Sequence, residues 1–257
     1  MTSPDWPIRW QTLVCAVLRV HGPRGEQQML DWLARPARPL VLAFINAHAM
    51  NGAARDDRFF QALCKADVVL RDGIGMALLM TLLNQRPGLN LNGTDLIPRI
   101  LRRYAGAPIA LFGTRQPWLE RAARVVANEL APGSHCVTAD GFLPASDYLR
   151  LAQSHAPALI VLGMGMPRQE EVALALRAGL SRPCLIVCGG AILDFLGGRA
   201  MRAPRLLQRA GLEWCWRLVL EPRRLFRRYV LGNPLFLARA LRMAAHGLRQ
   251  LPSRGLS

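Results

Sequence analysis

Asp72 stands where a carboxylate can do chemistry. It follows the apolar run Ala66 to Leu70 with only Arg71 between, and Gly73-Ile74-Gly75 comes next. An acid at the end of a strand, against two glycines and ahead of a helical stretch, lies at the lip of a cleft. There it can accept a proton from an attacking hydroxyl. The glycines permit tight turning, and the helix start offers free N–H groups to an anion. The same pattern also fits a simple helix cap, and local sequence leaves both readings open. Asn92-Gly93-Thr94-Asp95-Leu96, a little further on, is a second helix start.

Two more glycine turns follow apolar runs. Leu162-Gly163-Met164-Gly165-Met166-Pro167-Arg168-Gln169-Glu170 is similar to a dinucleotide fingerprint, but Arg168 occupies the place of the third glycine. Such a match is weak and argues against a nicotinamide-dependent oxidoreductase. Pro167 suits a first helical turn, which leaves Gln169 either reaching into the cleft or solvated. In Cys188-Gly189-Gly190-Ala191-Ile192-Leu193-Asp194, Asp194 either hydrogen-bonds a base or ribose or is a surface residue. Asn46-Ala47-His48 ends the first core strand on the same side. A lone His reads more readily as structural. No Ser or Cys pairs with His and Asp as a nucleophile, and neither zinc spacing nor an Asp-x-Asp motif is present, so no metal is expected. Asp56-Asp57 suit a helix start.

The elements that position these residues alternate. Pro39 to Ile45, Ala66 to Leu70, Pro108 to Phe112, His135 to Thr138, Ala158 to Leu162 and Cys184 to Cys188 read as strands. Most are continuously apolar, as strands buried on both faces of a parallel sheet are. Helical patterns lie between them, at Ala54 to Lys65, Met76 to Leu83, Asp95 to Tyr104, Trp118 to Leu130, Ser146 to His155 and Gln169 to Leu180. The alternation predicts a doubly wound α/β domain over roughly residues 35 to 200, with three glycine turns at the carboxyl edge where such sheets bind ligands. A phosphate-containing ligand such as a nucleotide suits that edge. Thr12 to Val20 is expected to be a further strand, at the start of the sheet or in an edge hairpin.

The domain division expected is 1–200 for this core and 201–257 for a helical appendage. After Gly197-Gly198 strand signals stop, and Arg, Trp and Leu dominate. From Arg199 onward 13 Arg face only Glu213 and Glu221, which places +11 of the chain's net +16 there. Such a concentration points to an anionic partner: lipid headgroups, nucleic acid or a phosphorylated substrate. Arg interleaved with Trp214, Trp216 and Tyr229 favours a membrane–water interface; a tail packed on the domain and a nucleic-acid surface are the other readings. A last helix over Leu235 to Leu251 is expected to carry Arg239, Arg242, His246 and Arg249 on one face and Leu237, Leu241, Ala244 and Leu248 on another.

Of the 33 basic residues only Lys65 is Lys. Arg binds phosphate in bidentate fashion and keeps its charge when partly buried. The six cysteines lack metal spacing and read as reduced thiols of a cytosolic protein. No apolar run reaches the length of about 18 residues that a membrane span needs, and Thr12 to Leu18 is too short for a signal peptide.

Taken in order, these motifs resemble the WecG/TagA/CpsF family of bacterial glycosyltransferases, from about Val41 to Leu231. The resemblance rests on Asn46, Ala66-Asp67, Asp72-Gly73-Ile74-Gly75, Gly93-Thr94-Asp95-Leu96, Gly163-Met164-Gly165-x-Pro167-x-Gln169-Glu170 and Arg202-Ala203-Pro204. The block Gly211-Leu212-Glu213-Trp214, with Glu221-Pro222-Arg223-Arg224 and Arg228-Tyr229, completes it. It implies a Rossmann-like core with a helical, Arg-rich C-terminal appendage. It also implies an inverting enzyme that moves a hexose or N-acetylhexosamine-type sugar from a UDP-sugar to a polyprenyl-diphosphate-linked saccharide in cell-surface polysaccharide biosynthesis.

By the same resemblance the base falls on Asp72, and cleft residues on Asn46 and Gln169. Contacts to the UDP-sugar co-substrate fall on Gly73, Gly113, Gly163, Gly165, Gln169, Gly190 and Asp194, with no separate cofactor. Arg217, Arg224, Arg227 and Arg228 are the implied contacts to the membrane and the acceptor diphosphate. The implied location is the cytoplasmic face of the membrane, peripherally bound, with no nucleic acid and with a homo-oligomer allowed. Two places depart from the family pattern: Phe44 stands where Thr is common, and Asn90 where Arg is common. The competing reading is a non-catalytic basic protein, binding nucleic acid or membrane, on a degenerate nucleotide-binding fold.

Overall fold

All six expected strands form and lie side by side, in the order Val68–Arg71, Leu40–Ile45, Leu185–Cys188, Leu159–Gly163, Ile109–Gly113 and Cys136–Ala139, every pair parallel. The computed structural model describes residues 5–245 and 255–256. In chain order the elements are α1 (Trp6–Ala16), β1 (Arg19–Val20), α2 (Gly22–Leu33), β2 (Leu40–Ile45), α3 (Ala47–Ala53), α4 (Asp57–Lys65), β3 (Val68–Arg71), α5 (Ile74–Leu82) and α6 (Gly93–Arg103). Then come β4 (Ile109–Gly113), α7 (Trp118–Val125) running into a π-helical turn (Val126–Leu130), β5 (Cys136–Ala139), α8 (Ala145–His155), β6 (Leu159–Gly163), α9 (Arg168–Gly179), β7 (Leu185–Cys188) and α10 (Ile192–Leu196). The remainder is α11 (Arg205–Arg209), α12 (Glu213–Leu220), α13 (Pro222–Phe226), a second π-helical turn (Arg227–Leu231), α14 (Gly232–Ala245) and β8 (Gly255–Leu256), which pairs with β1.

The sheet is buried on both faces, which explains its continuously apolar strands. Along β2 the side chains alternate between two core layers. Val41, Ala43 and Ile45 face a layer with Trp10, Met50, Leu63 and Leu176, while Leu40, Leu42 and Phe44 face one with Met29, Ile97 and Ile100. Helices therefore cover both sides, as in a Rossmann-like fold. The connections leaving the neighbouring strands β4 and β6 run to opposite sides, to β5 and to β7. A crevice opens beyond the carboxyl ends of strands at such a switch point.

Three expectations are corrected. Thr12 to Val20 is mostly helix, and only Arg19–Val20 is strand. Trp6, Trp10, Leu13, Val14 and Val17 recur at helical spacing, and Trp10 and Leu13 are fully buried; the β-branched residues in this run obscured that period. The helix expected from Ala54 begins only after Asp56, whose side chain accepts the Phe59 N–H; the shorter α3 precedes it, capped by Asn46.

In α14 the buried residues are Phe236, Ala240 and Met243, whereas Leu237 and Leu241 are exposed. Phe236 packs against Trp10 with ring centroids 5.1 Å apart, so contact with α1 sets the helix's rotation. Arg239 lies over the Trp6 ring and donates to Asn51 Oδ1 at 2.9 Å. His246, Leu248 and Arg249 lie outside the described residues.

Candidate active site

The carboxyl end of each central strand delivers one piece of the cleft. After β2, Asn46 does two things with one amide. Its Oδ1 accepts the Ala49 N–H at 3.0 Å and caps α3, which leaves Nδ2 to donate to Asp72 Oδ2 at 3.2 Å. After β3, the Asp72 N–H donates to Ile45 O at 2.8 Å, which ties the two strand ends together. The residue capping α5 is Gly73, at φ 86°, and not Asp72. That turn needs glycine, and it leaves the Asp72 carboxyl free for other work.

Desolvation raises the Asp72 pKa. The Asn46 hydrogen bond and the guanidinium groups of Arg228, Arg217 and Arg71 partly offset the rise. A carboxylate whose pKa is raised in this way is a stronger base than an ordinary Asp.

Beyond β4 and β6 the backbones meet closely. A Cβ on Gly113 would stand 2.4 Å from the Gly163 carbonyl, so no other residue fits there. The approach lets the Thr114 N–H reach Gly163 O at 3.1 Å. The Thr114 hydroxyl then donates to Asp194 Oδ1, which also pairs with Arg199 Nη1 at 3.2 Å. Asp194 is thus held on the cleft wall and is not a free surface acid.

Gln169 is not the solvated residue that a first helical turn allows. Its side chain is fully buried. Oε1 accepts the Gly190 N–H at 2.8 Å, and Nε2 donates to Glu170 Oε1 at 2.8 Å. It holds the Gly189-Gly190 turn in shape. Glu170 is 2% exposed, and its Oε2 has no hydrogen-bond partner. Burial pushes its pKa up to about 8, so it is largely protonated at pH 7. Sequence reasoning missed Glu170 because Glu171 follows it, and nothing local says which of the two turns inward.

These pieces enclose one cavity of about 800 Å³. Asn46, Asp72, Gly163, Gly165, Gln169, Gly190 and Asp194 line it from the core, and Arg217, Arg224, Arg227 and Arg228 from the appendage. Gly73 and Gly113, expected as ligand contacts, are not on the cavity wall; their part is to let the turns behind it form. His48 faces the cavity too. Desolvation, then the nearby Arg228 charge, lowers its pKa to about 4, so it is a neutral imidazole at pH 7.

The four arginines differ. Arg224 is paired twice with Glu221, at 2.5 and 2.7 Å. Arg217 sits over the Phe195 ring and Arg228 over Tyr229, and each has a buried Nε with no hydrogen-bond partner. Arg227 is exposed. Two guanidinium groups, each with an unpaired buried Nε, beside one carboxyl make a place suited to an anion. Among the described residues, no group of three or more His, Cys, Asp or Glu side chains is arranged to hold a metal ion.

The sequence profile described as the glycosyl transferase WecG/TagA/CpsF family matches residues 15–250, nearly the whole chain. The chain belongs to that family. A relative from Bacillus subtilis (strain 168), an N-acetylglucosaminyldiphosphoundecaprenol N-acetyl-beta-D-mannosaminyltransferase, is 25% identical over 185 residues. That match covers 71% of this chain and 72% of the relative. In this WecG/TagA/CpsF glycosyltransferase one cavity brings together a buried carboxyl, glycine-lined turns and arginine side chains.

Proposed function

We propose that this glycosyltransferase moves a hexose or N-acetylhexosamine-type sugar from a UDP-sugar to a polyprenyl-diphosphate-linked saccharide, with inversion, in cell-surface polysaccharide biosynthesis. The observation that carries the reading is the Asp72 carboxyl, held by Asn46 at 3.2 Å in a cavity it shares with Arg217 and Arg228. The donor lies along the β4, β6 and β7 turns, with its base toward Asp194 and Thr114. The acceptor hydroxyl gives its proton to Asp72 and its oxygen bonds to the anomeric carbon. The bond from that carbon to the diphosphate oxygen breaks, and the electron pair leaves on UDP. The unsatisfied arginines and the N–H groups of the glycine turns stabilise the charge that develops there. The lipid-linked acceptor is proposed by analogy with the substrate in the Bacillus subtilis relative's name.

On this reading residues 1–200 carry the donor site and residues 201–257 bring the protein to the membrane. No described helix is long and apolar enough to cross a bilayer. The appendage does expose Leu206, Val219, Phe226 and Leu231 among its arginines, a mixture suited to lying in the headgroup layer.

The deciding experiment offers the purified protein UDP-glucose and UDP-N-acetylhexosamines with a polyprenyl-diphosphate-linked N-acetylglucosamine acceptor and measures UDP release. One donor should turn over with inverted anomeric configuration. Retention of configuration, or no acceptor-dependent release with any of them, would rule the assignment out.

A further inference from the structure

The Asp72 turn is held from outside the cavity by two residues that do not line it. Arg71 ends β3 and is buried, with its guanidinium turned away from the cleft into the loop that follows α5. Nε donates to Pro87 O at 2.8 Å, Nη2 to Gly88 O at 2.7 Å and Nη1 to Gly73 O at 3.3 Å. The loop pinned in this way brings in Asn90. Its Oδ1 accepts the Gly73 N–H at 2.9 Å and lies 3.5 Å from Arg71 Nη1.

Gly73 is the residue that turns the chain out of β3, at φ 86°. Both its polar backbone groups are thus fixed by the same pair, its N–H by Asn90 and its carbonyl by Arg71. A carboxylate one residue upstream of a left-handed glycine swings with that peptide, and Asn46 offers it only one hydrogen bond, at 3.2 Å.

We propose that Asn90, clamped by Arg71, is a positioning residue for the Asp72 carboxylate: it sets where the base points without touching donor or acceptor. This rests on the reading of Asp72 as the base. It also gives a physical role to a residue at which the chain departs from the common family pattern. An arginine at position 90 has no oxygen to accept the Gly73 N–H; here the guanidinium comes from position 71 and the acceptor from position 90.

The test compares Asn90→Ala and Asn90→Asp in the full chain, with Asp72→Asn alongside. Asn90→Asp keeps the accepting oxygen beside Arg71, and Asn90→Ala removes it. With the UDP-sugar that turns over, Asn90→Ala should lower kcat by about 10- to 100-fold, because a displaced catalytic group costs up to about 100-fold. The donor KM should stay within about threefold, and Asn90→Asp should restore most of kcat. Independently of turnover, hydrogen exchange at the Gly73 amide should speed up in Asn90→Ala and return in Asn90→Asp. Thermal unfolding with and without UDP shows that each variant is folded.

Wild-type kcat in Asn90→Ala, a rise in donor KM alone, failure of Asn90→Asp to restore, or unchanged Gly73 exchange each overturns the proposal. Turnover by Asp72→Asn is a separate failure, because it removes the base assignment itself. The acid limb of kcat gives a further check. The groups facing Asp72 are Arg71 on its own strand, Asn46 after β2, Arg217 and Glu213 on α12, and Arg228 on the second π-helical turn. Since Asn90 adds no charge, Asn90→Ala should change the height of that profile far more than its midpoint. A midpoint shift as large as that of Arg228→Ala counts against positioning.

Discussion

The two walls of the cavity are built on opposite terms. On the core side Asn46 pairs with Ala49 and Asp72, Thr114 with Asp194, and Gln169 with Gly190 and Glu170, whose Oε2 is the atom left over. On the appendage side Arg217 and Arg228 keep buried Nε atoms without one, and large apolar side chains stay exposed. A satisfied wall is rigid and fixes geometry. An unsatisfied cationic wall lacks something, and a diphosphate would complete it. On the proposed mechanism the core decides where the reaction occurs, and the appendage supplies charge once an anionic ligand arrives.

The sharpest break in that contrast is on the core side. Asp72→Asn should reduce transfer by about 10²- to 10⁴-fold in a UDP-release assay, with UDP affinity by calorimetry nearly unchanged. It should also raise the melting temperature near pH 7, since the folded protein holds this carboxyl above its ordinary pKa and the amide removes the cost of burying its charge. Loss of stability would mean the carboxylate is structural.

Across the cavity, Arg228→Ala should lower kcat by about 10²-fold, and Arg224→Ala, whose guanidinium already has Glu221, by about tenfold or less. Equal losses would erase the difference drawn between paired and unpaired arginines. With Arg228 gone, the His48 pKa seen by NMR should rise from about 4, because a neighbouring cation has been removed.

Gln169→Ala tests rigidity without touching charge. It orphans the Gly190 N–H and Glu170, so denaturant unfolding should show a loss of about 2–3 kcal/mol, together with weaker UDP binding. An unchanged midpoint would mean the turn holds itself.

The smallest effect concerns Glu170. Its folded pKa of about 8 lies above the ordinary 4.5. The folded state therefore keeps a proton that the unfolded state releases, and stability falls as pH rises between those values. Glu170→Gln should flatten that part of the stability–pH curve. A parallel curve would mean the carboxyl reaches solvent.

Much of this was legible because local rules and the global fold agree. Apolar runs with helical stretches between them announce a parallel sheet, and a sheet of that kind has one edge where its glycine turns gather. Asp72, Asn46, Gly165, Gly190 and Asp194 could be placed at the cleft on that basis, and the ordered motifs pointed to the family. The N-terminal helix was less legible. Its β-branched residues imitate a strand, and only burial of Trp10 against Met50 and Phe236 decides the matter. The outward face of α14 was hidden for the same reason, since Phe236 had to find Trp10, distant in sequence, before the helix's rotation was set.

By itself, then, the sequence determined the sheet, its ligand edge and the concentration of positive charge at one end, because hydrophobic period and composition are local quantities. Only the tertiary structure decided that Gly73 rather than Asp72 caps α5, that Gln169 serves the Gly190 turn, and that Arg71 and Asn90 together hold the turn beside Asp72. Each of those outcomes is a hydrogen bond between residues far apart in the chain or a choice between adjacent groups with equal local claims. Such choices are settled by which arrangement pairs the most buried polar groups, and that exists only once the strands are side by side.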